Sequence, residues 1–254
     1  MTTETTESFG ISHRPLNSRE WLERFRGNEE PEVLPEGGPK LTEAGQEAVI
    51  LSVQKFQLGE NSEGKNLHRR TGEYAEENED PEYLLTIEYF IREEQRHARY
   101  PRDFLASEGF GTIKKRWADS VFRKLRNLAG LEVSVAVLVT AEIIAKVYYA
   151  ALNEATRSPM LRAICNRVLR DEEAHVSFQA ERLAILRHDR PKPGMTLTRL
   201  LPRVLFFGAV LVVWRNHGKT MRRGGFRRYW KRCWEEFRSA TEIMDPGNYE
   251  RLPG

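Results

Sequence analysis

Cysteine is scarce in this chain of 254 residues, which contains only Cys165 and Cys233. The two lie far apart and form no C-x-x-C pattern, which excludes both a disulfide framework and a zinc site built from thiolates. The N-terminal segment MTTETTESFG lacks the apolar stretch of a secretory signal. These absences predict a protein of the reducing cytoplasm.

A strong excess of charge and a long apolar run are also missing. The chain has 40 Lys or Arg against 37 Asp or Glu, and its net charge of +3 is too small for its length to indicate a nucleic-acid-binding protein. The longest strongly apolar run without a central charge, Val204 to Trp214, would extend roughly 16 Å as a helix, against about 30 Å for a bilayer core. We therefore expect no nucleic-acid partner, and we do not expect this run to cross a membrane.

Apolar residues recur with a helical period, and strand-like alternation is not evident. Residues 1–40, rich in Glu, Thr, Pro and Gly, predict a flexible arm with one helical turn around Trp21. Residues 41–188 predict four amphipathic helices, and so an all-α protein built on an antiparallel four-helix bundle. Residues 189–254 predict additional C-terminal helices that pack on the bundle. This last segment is basic and aromatic, since 13 Lys or Arg accompany one Asp between Arg187 and Cys233.

Two of the predicted helices repeat one arrangement. Each begins with a capping residue followed by proline, at Asp80-Pro81 and at Ser158-Pro159. Each carries a Glu-x-x-His motif whose glutamate lies 13 residues after the proline. The motif residues are Glu94 and His97 in the first helix, and Glu172 and His175 in the second. Residues spaced i and i+3 project from the same side of a helix, so each motif presents one carboxylate and one imidazole together.

The helix before each motif helix carries a glutamate on its apolar face. Glu63 lies 18 residues before the first motif proline, and Glu142 lies 17 residues before the second. Glu60, one turn earlier than Glu63 on the same stripe, is an alternative or additional candidate. Glu142 could instead form an ordinary i to i+4 ion pair with Lys146, but the helix predicted over about Leu131 to Leu152 is otherwise almost entirely apolar.

Up to four glutamates in one core would be too costly to bury unless positive charge neutralised them. Two divalent metal ions supply that charge. Carboxylates with one imidazole per metal and no thiolate suit iron or manganese better than a closed zinc site. The sequence therefore predicts a binuclear centre of two iron ions, with manganese or a mixed manganese and iron pair as alternatives.

This pattern resembles the ferritin-like superfamily of carboxylate-bridged di-iron and di-manganese proteins, over residues 41–188. The resemblance implies a set of six ligands: Glu63 (or Glu60), Glu94, His97, Glu142, Glu172 and His175. It also implies that Glu93 and Asp171 each accept the N–H of a ligand histidine from the other motif helix; the alternative is that both are exposed charges. Tyr149 is expected either near the metals, as an electron or proton donor, or packed in the core.

The resemblance implies a di-iron oxidoreductase that activates dioxygen to hydroxylate, desaturate or N-oxygenate an unidentified organic substrate, with electrons from a donor protein. The alternative is a ferroxidase or iron-handling protein without an organic substrate. A ferritin cage is disfavoured by the long additional segments, and a rubrerythrin-type peroxidase by the lack of a rubredoxin-like cysteine site.

The C-terminal segment has several interpretations of its own. The apolar stretch from Leu200 to Trp214 could be a lid over the bundle or the surface of a homodimer. Together with the neighbouring Arg and Trp residues it could instead contact an anionic membrane peripherally, or RNA. His217 lies in basic surroundings, which predicts a solvated side chain.

Overall fold

The computed structural model describes residues 14–29, 40–60, 64–113, 130–188, 192–221 and 224–250, together with residues 35 and 252. Within these residues the regular elements are all helical, which confirms the prediction of an all-α protein. The helices are α1 (Ser18–Gly27), α2 (Glu43–Glu60), α3 (Lys65–Glu77), α4 (Pro81–Ser107), α5 (Leu131–Ala155), α6 (Pro159–Arg187), α7 (Lys192–His217) and α8 (Gly225–Ile243). A short 3-10 helix, Pro246–Asn248, follows α8.

Both motif helices begin where the sequence predicts. The side chain of Asp80 accepts a hydrogen bond from the Tyr83 N–H at 3.1 Å and so caps α4. Ser158 caps α6 in the same way, accepting from the Leu161 N–H at 3.3 Å. Proline follows each cap in the first helical turn, where its missing N–H costs nothing. The motif residues therefore lie well inside two long helices, of 27 and 29 residues.

The central element is α5, which packs most extensively on α6 and also contacts α2, α3, α7 and α8. Its buried residues lie all round the helix, as its nearly unbroken apolar sequence predicts. Among the described helices it is long and apolar enough to cross a membrane by length and composition, but 78% of its most apolar window is buried within the protein. That burial is typical of a core helix.

The segment expected to be a flexible arm contains a ten-residue helix, α1, where one turn was predicted. Trp21 and Phe25 are buried, and both rings lie 5.3 Å from the ring of Phe178 on α6. Glu181, also on α6, accepts hydrogen bonds from the Trp21 Nε1 at 2.8 Å and from the Leu16 N–H at 2.9 Å. The helix is longer than predicted. Its few apolar residues form one stripe that packs against other helices, and a single sequence does not show that packing.

The chain before the first motif helix, where the sequence predicts one helix of the bundle, contains two helices, α2 and α3. Gly64, at the start of α3, has a positive φ of 66°. A Cβ atom built there would lie 2.7 Å from the Cδ1 of Ile91 on α4. Glycine thus allows both the left-handed backbone and the close approach of the two helices.

The C-terminal helices pack on the rest of the protein with one face each. α7 contacts α5 and buries Phe206 and Val210, while α8 contacts α5 and α6 and buries Cys233 and Phe237.

The prediction of a solvated His217 is wrong, because the side chain is only 6% exposed and its Nδ1 lies 2.8 Å from the Ser52 Oγ. Basic neighbours in the sequence suggested a surface position. The end of α7 instead packs against α2, which turns this one side chain inward.

The backbone at Gly64 gives a test of this packing. Gly64→Ala should lower the free energy of unfolding by about 1–3 kcal/mol, because alanine disfavours a positive φ and its methyl group would overlap Ile91. Gly72→Ala is the matched control, since its Cβ would lie at an ordinary 3.9 Å from Leu84 within α3. That variant should be neutral or more stable by up to about 1 kcal/mol. Urea denaturation of both variants would decide, and equal effects would contradict the packing described.

Candidate metal centre

Helices α4 and α6 bring four of the six predicted ligands together. Glu94, His97, Glu172 and His175 each offer a ligand atom, and these atoms all lie within 4.8 Å of one another. The side chains of His97, Glu172 and His175 are fully buried, whereas that of Glu94 is 16% exposed. This Glu/His group could hold a metal ion, and Glu94 lies on its solvent-accessible side.

The Nδ1 atoms of both histidines face the two carboxylates. Glu94 Oε1 lies 3.3 Å from the Nδ1 of His97 and 3.2 Å from that of His175. The two oxygens of Glu172 divide between the rings: Oε1 lies 3.4 Å from His97 and Oε2 lies 3.8 Å from His175. Each carboxylate therefore lies between the two imidazoles, with the ring centroids 5.3 Å apart.

The outer ring nitrogens form hydrogen bonds that cross between the helices. The Nε2 of His97 on α4 lies 3.0 Å from Asp171 Oδ2 on α6, and the Nε2 of His175 on α6 lies 2.8 Å from Glu93 Oε2 on α4. Ionised carboxylates only accept, so each Nε2 carries the proton and donates it. Glu93 and Asp171 are 1% and 2% exposed, so they are not the surface charges of the alternative interpretation.

Each outer carboxylate is also paired with a buried arginine. Arg96 lies 3.0 Å from Glu93, and the Arg167 Nε lies 3.0 Å from Asp171. Both arginines are on the motif helices, one turn after Glu93 and one turn before Asp171. Because each buried carboxylate has its own cation, the outer pairs are neutral without drawing on charge from the inner group.

Asn28, at the C-terminal end of α1, joins the two outer pairs. Its Nδ2 donates to Glu93 Oε1 at 2.7 Å and to Asp171 Oδ1 at 2.8 Å. Its backbone oxygen accepts from Arg96 at 3.1 Å and from Arg167 at 3.0 Å. Asn28 was not predicted as a site residue because it lies in the predicted arm, and a single Asn near a helix end carries no signal of such a contact.

The inner group contains buried polar atoms that are left unsatisfied. Among the described residues, Glu94 Oε1, His97 Nδ1, both carboxylate oxygens of Glu172 and His175 Nδ1 are buried and have no hydrogen-bond partner in the protein. Buried polar atoms are nearly always paired, and five unpaired ones close together could bind a metal ion. Two carboxylates and two imidazoles without a thiolate fit iron or manganese.

The pKa values in this group show how strongly it attracts positive charge. Burial opposes ionisation, but the two histidines beside Glu94 outweigh it and hold the pKa of that carboxyl well below its usual range. Burial likewise opposes protonation of His97, yet Asp171, Glu172 and Glu94 raise its pKa well above 6.5. Contacts with Glu93 and Glu94 raise the pKa of His175 to about 10 against the effect of burial. Without a metal, protons on the histidines therefore neutralise the group.

Glu142 is buried in α5, at 3% exposure, but does not belong to the group of four. The alternative ion pair with Lys146 is not formed, since that ammonium lies 2.5 Å from Glu173 and 2.8 Å from Glu236. Of the candidates before the first motif helix, Glu60 is the last residue of α2, and Glu63 lies outside the described residues.

Tyr149 is 1% exposed. Its ring packs edge-on against Phe56 and beside Tyr148, with centroid distances of 5.4 Å in both cases. Tyr149 is therefore packed in the core, and its expected role as an electron or proton donor stays a prediction.

No protein family model matches this chain, and no curated protein or solved structure matches it either. The class of protein is therefore defined by its own fold and site: an all-α protein with a buried Glu/His group that could bind metal, an arrangement compatible with a di-iron helical fold.

Metal binding should be coupled to proton release. In the metal-free protein the raised histidine pKa values stabilise the fold fully below pH 6.5, and this contribution is lost as the pH rises toward 10. A metal ion competes with those protons, so the affinity for Mn(II) should increase between pH 7 and 8.5, by up to about tenfold per pH unit for each proton displaced. Calorimetric titration in buffers of different ionisation enthalpy counts the protons. An affinity that does not change with pH would contradict this charge balance.

Asn28→Ala should weaken metal binding by about 10- to 100-fold, because the carboxylates that orient both histidines lose their common donor. Asn78→Ala is the matched control. Asn78 is also the C-terminal cap of a helix, but among the described residues its side chain donates to the Tyr74 oxygen alone, at 2.8 Å. It should lose some stability and keep its metal affinity. The interpretation fails if the two variants bind metal equally well.

Proposed function

We propose that this chain is a di-iron oxidoreductase that activates dioxygen to hydroxylate, desaturate or N-oxygenate an organic substrate, in a ferritin-like bundle formed by α2, α4, α5 and α6. The observation that carries the proposal is the set of five buried, unsatisfied ligand atoms between two histidines whose outer nitrogens are already bound. Such an arrangement directs one free nitrogen of each ring and two carboxylates at the same small volume.

The near-symmetry of the group supports two ions. Each histidine supplies one Nδ1, and Glu94 and Glu172 both lie between the two rings, where a carboxylate can bridge. The positive charge of two divalent ions exceeds the negative charge of the Glu94 and Glu172 carboxylates. The buried Glu142 and one glutamate from the preceding segment, Glu60 or Glu63, would complete the balance as further ligands.

The residues of the chain hold this centre in a fixed, dry position. Glu93 and Asp171 fix the orientation of each imidazole ring and keep the proton on its Nε2. Because Arg96 and Arg167 neutralise these two carboxylates, we expect neither carboxylate to bind the metals itself. The near-complete burial of the group excludes water from most of it, leaving the side of Glu94 for access. Iron bound there would supply the redox chemistry that activates dioxygen.

Rigidity favours an enzyme over an iron store. A storage or ferroxidase site must pass ions through. Here each histidine is bound by a carboxylate, and that carboxylate is itself bound by an arginine and by the shared Asn28. The packing of α1, α7 and α8 adds protein that an iron store does not need. The proposal includes an electron donor protein as partner and a cytoplasmic location.

The stoichiometry of iron oxidation separates the two functions. Protein loaded anaerobically with Fe(II) should bind about two equivalents, and on addition of oxygen it should oxidise little beyond that bound iron. Absorbance would follow Fe(III) formation as Fe(II) is added in increasing excess over the two bound equivalents. Sustained oxidation of the excess, with retention of a mineral core, would show that iron handling is the function.

Variants of the histidines test the ligand assignment in the same assay. His97→Ala and His175→Ala should each leave about one equivalent of bound iron or less, because each removes one imidazole ligand. His68→Ala is the control, since His68 is half-exposed and contacts Glu88 at 3.0 Å on the surface. Iron loss in the control as large as in the other two would refute the assignment.

A further inference from the structure

Helices α7 and α8 carry a continuous exposed surface that the proposed function does not use. On α7 the side chains of Val204, Phe207 and Leu211 are 60%, 40% and 58% exposed. On α8 Phe226 and Trp234 are 38% and 41% exposed. These residues, with Trp230 between them, are called the aromatic surface below.

Ring contacts join the two helices within the aromatic surface. Phe207 of α7 stacks on Trp230 of α8, with ring centroids 5.5 Å apart and planes 16° apart. Phe207 also lies 6.3 Å from Trp234, and the two tryptophans are nearly parallel at 6.4 Å. These contacts join rings from both helices into one apolar surface.

Exposed cations lie near these residues along the same two helices: Arg203, Arg215, Arg227, Lys231 and Arg238. One exposed acid, Glu235, lies beside Trp234 in the sequence and 3.7 Å from Lys231. No Asp or Glu occurs in the sequence between residues 190 and 234. The opposite face of α7 packs against α5, and that of α8 packs against α5 and α6, so the surface is already folded before any partner binds.

We propose that the aromatic surface binds the interface of a membrane that contains anionic lipids. Aromatic and aliphatic side chains can enter the boundary between headgroups and acyl chains while the surrounding Arg and Lys residues contact anionic headgroups. A second copy is a less suitable occupant, because the five exposed cations of each copy would face those of the other, with the exposed acid Glu235 beside them. Nucleic acid is less suitable, because Val204 and Leu211 cannot stack on bases and the rings already stack on one another.

Vesicle flotation of the full chain tests the proposal. The protein should bind vesicles of phosphatidylcholine with about 30% phosphatidylglycerol, bind pure phosphatidylcholine much more weakly, and lose affinity as salt is raised. Leu211→Glu should reduce binding to the anionic vesicles at least about tenfold, because it places a negative charge in the inserted surface. Leu51→Glu is the matched control, since Leu51 on α2 is 55% exposed but lies outside the aromatic surface.

A second pair of variants tests the charge without altering the apolar side chains. Lys231→Ser should weaken binding to anionic vesicles roughly fivefold, as expected for one cation near a charged bilayer. Arg19→Ser, at an equally exposed position on α1, should have no effect; the two side chains are 75% and 76% exposed.

Three results would overturn the proposal. One is absence of binding to the anionic vesicles. The second is a lipid-free dimer, seen by analytical ultracentrifugation, that Leu211→Glu dissociates. The third is tighter binding to a single-stranded oligonucleotide than to the vesicles.

Discussion

Buried charge at the junction of α4 and α6 is the constraint on which the rest of the structure depends. Four acidic side chains lie there, and each must be neutralised because an unpaired carboxylate in a protein core is prohibitively costly. The outer pair, Glu93 and Asp171, is neutralised within the protein by Arg96 and Arg167. The inner pair has only the two histidines, whose Nδ1 atoms remain without hydrogen-bond partners among the described residues. The inner carboxylates, Glu94 and Glu172, therefore have no arginine partner, within the described part of the chain, of the kind that neutralises the outer pair, and a bound metal ion could supply the positive charge.

This constraint explains why α1 belongs to the folded protein. Its aromatic residues pack on α4 and α6, and its last turn delivers Asn28 to both outer carboxylates. One side chain thereby fixes two helices relative to each other at the level of the histidines. Phe25 also lies against the His175 ring, with centroids 5.8 Å apart, so the helix limits the movement of a candidate ligand directly.

The sequence predicts the parts of this arrangement that depend on local spacing. Caps, prolines and the Glu-x-x-His register determine where α4 and α6 begin and which residues face inward, because a helix has a fixed geometry. Contacts between distant segments were not predictable from one sequence. Asn28 and His217 are ordinary polar residues whose burial depends on where α1 and α7 pack, and the division at Gly64 depends on the approach of Ile91.

The central claim is that the inner group holds two metal ions between the histidines. Anomalous X-ray diffraction from crystals soaked anaerobically in Fe(II), recorded on both sides of the iron absorption edge, tests it most directly. The account predicts two peaks, each next to the Nδ1 of one histidine and both in contact with Glu94 and Glu172. Iron bound elsewhere, or no iron next to either Nδ1 at saturating Fe(II), would contradict it.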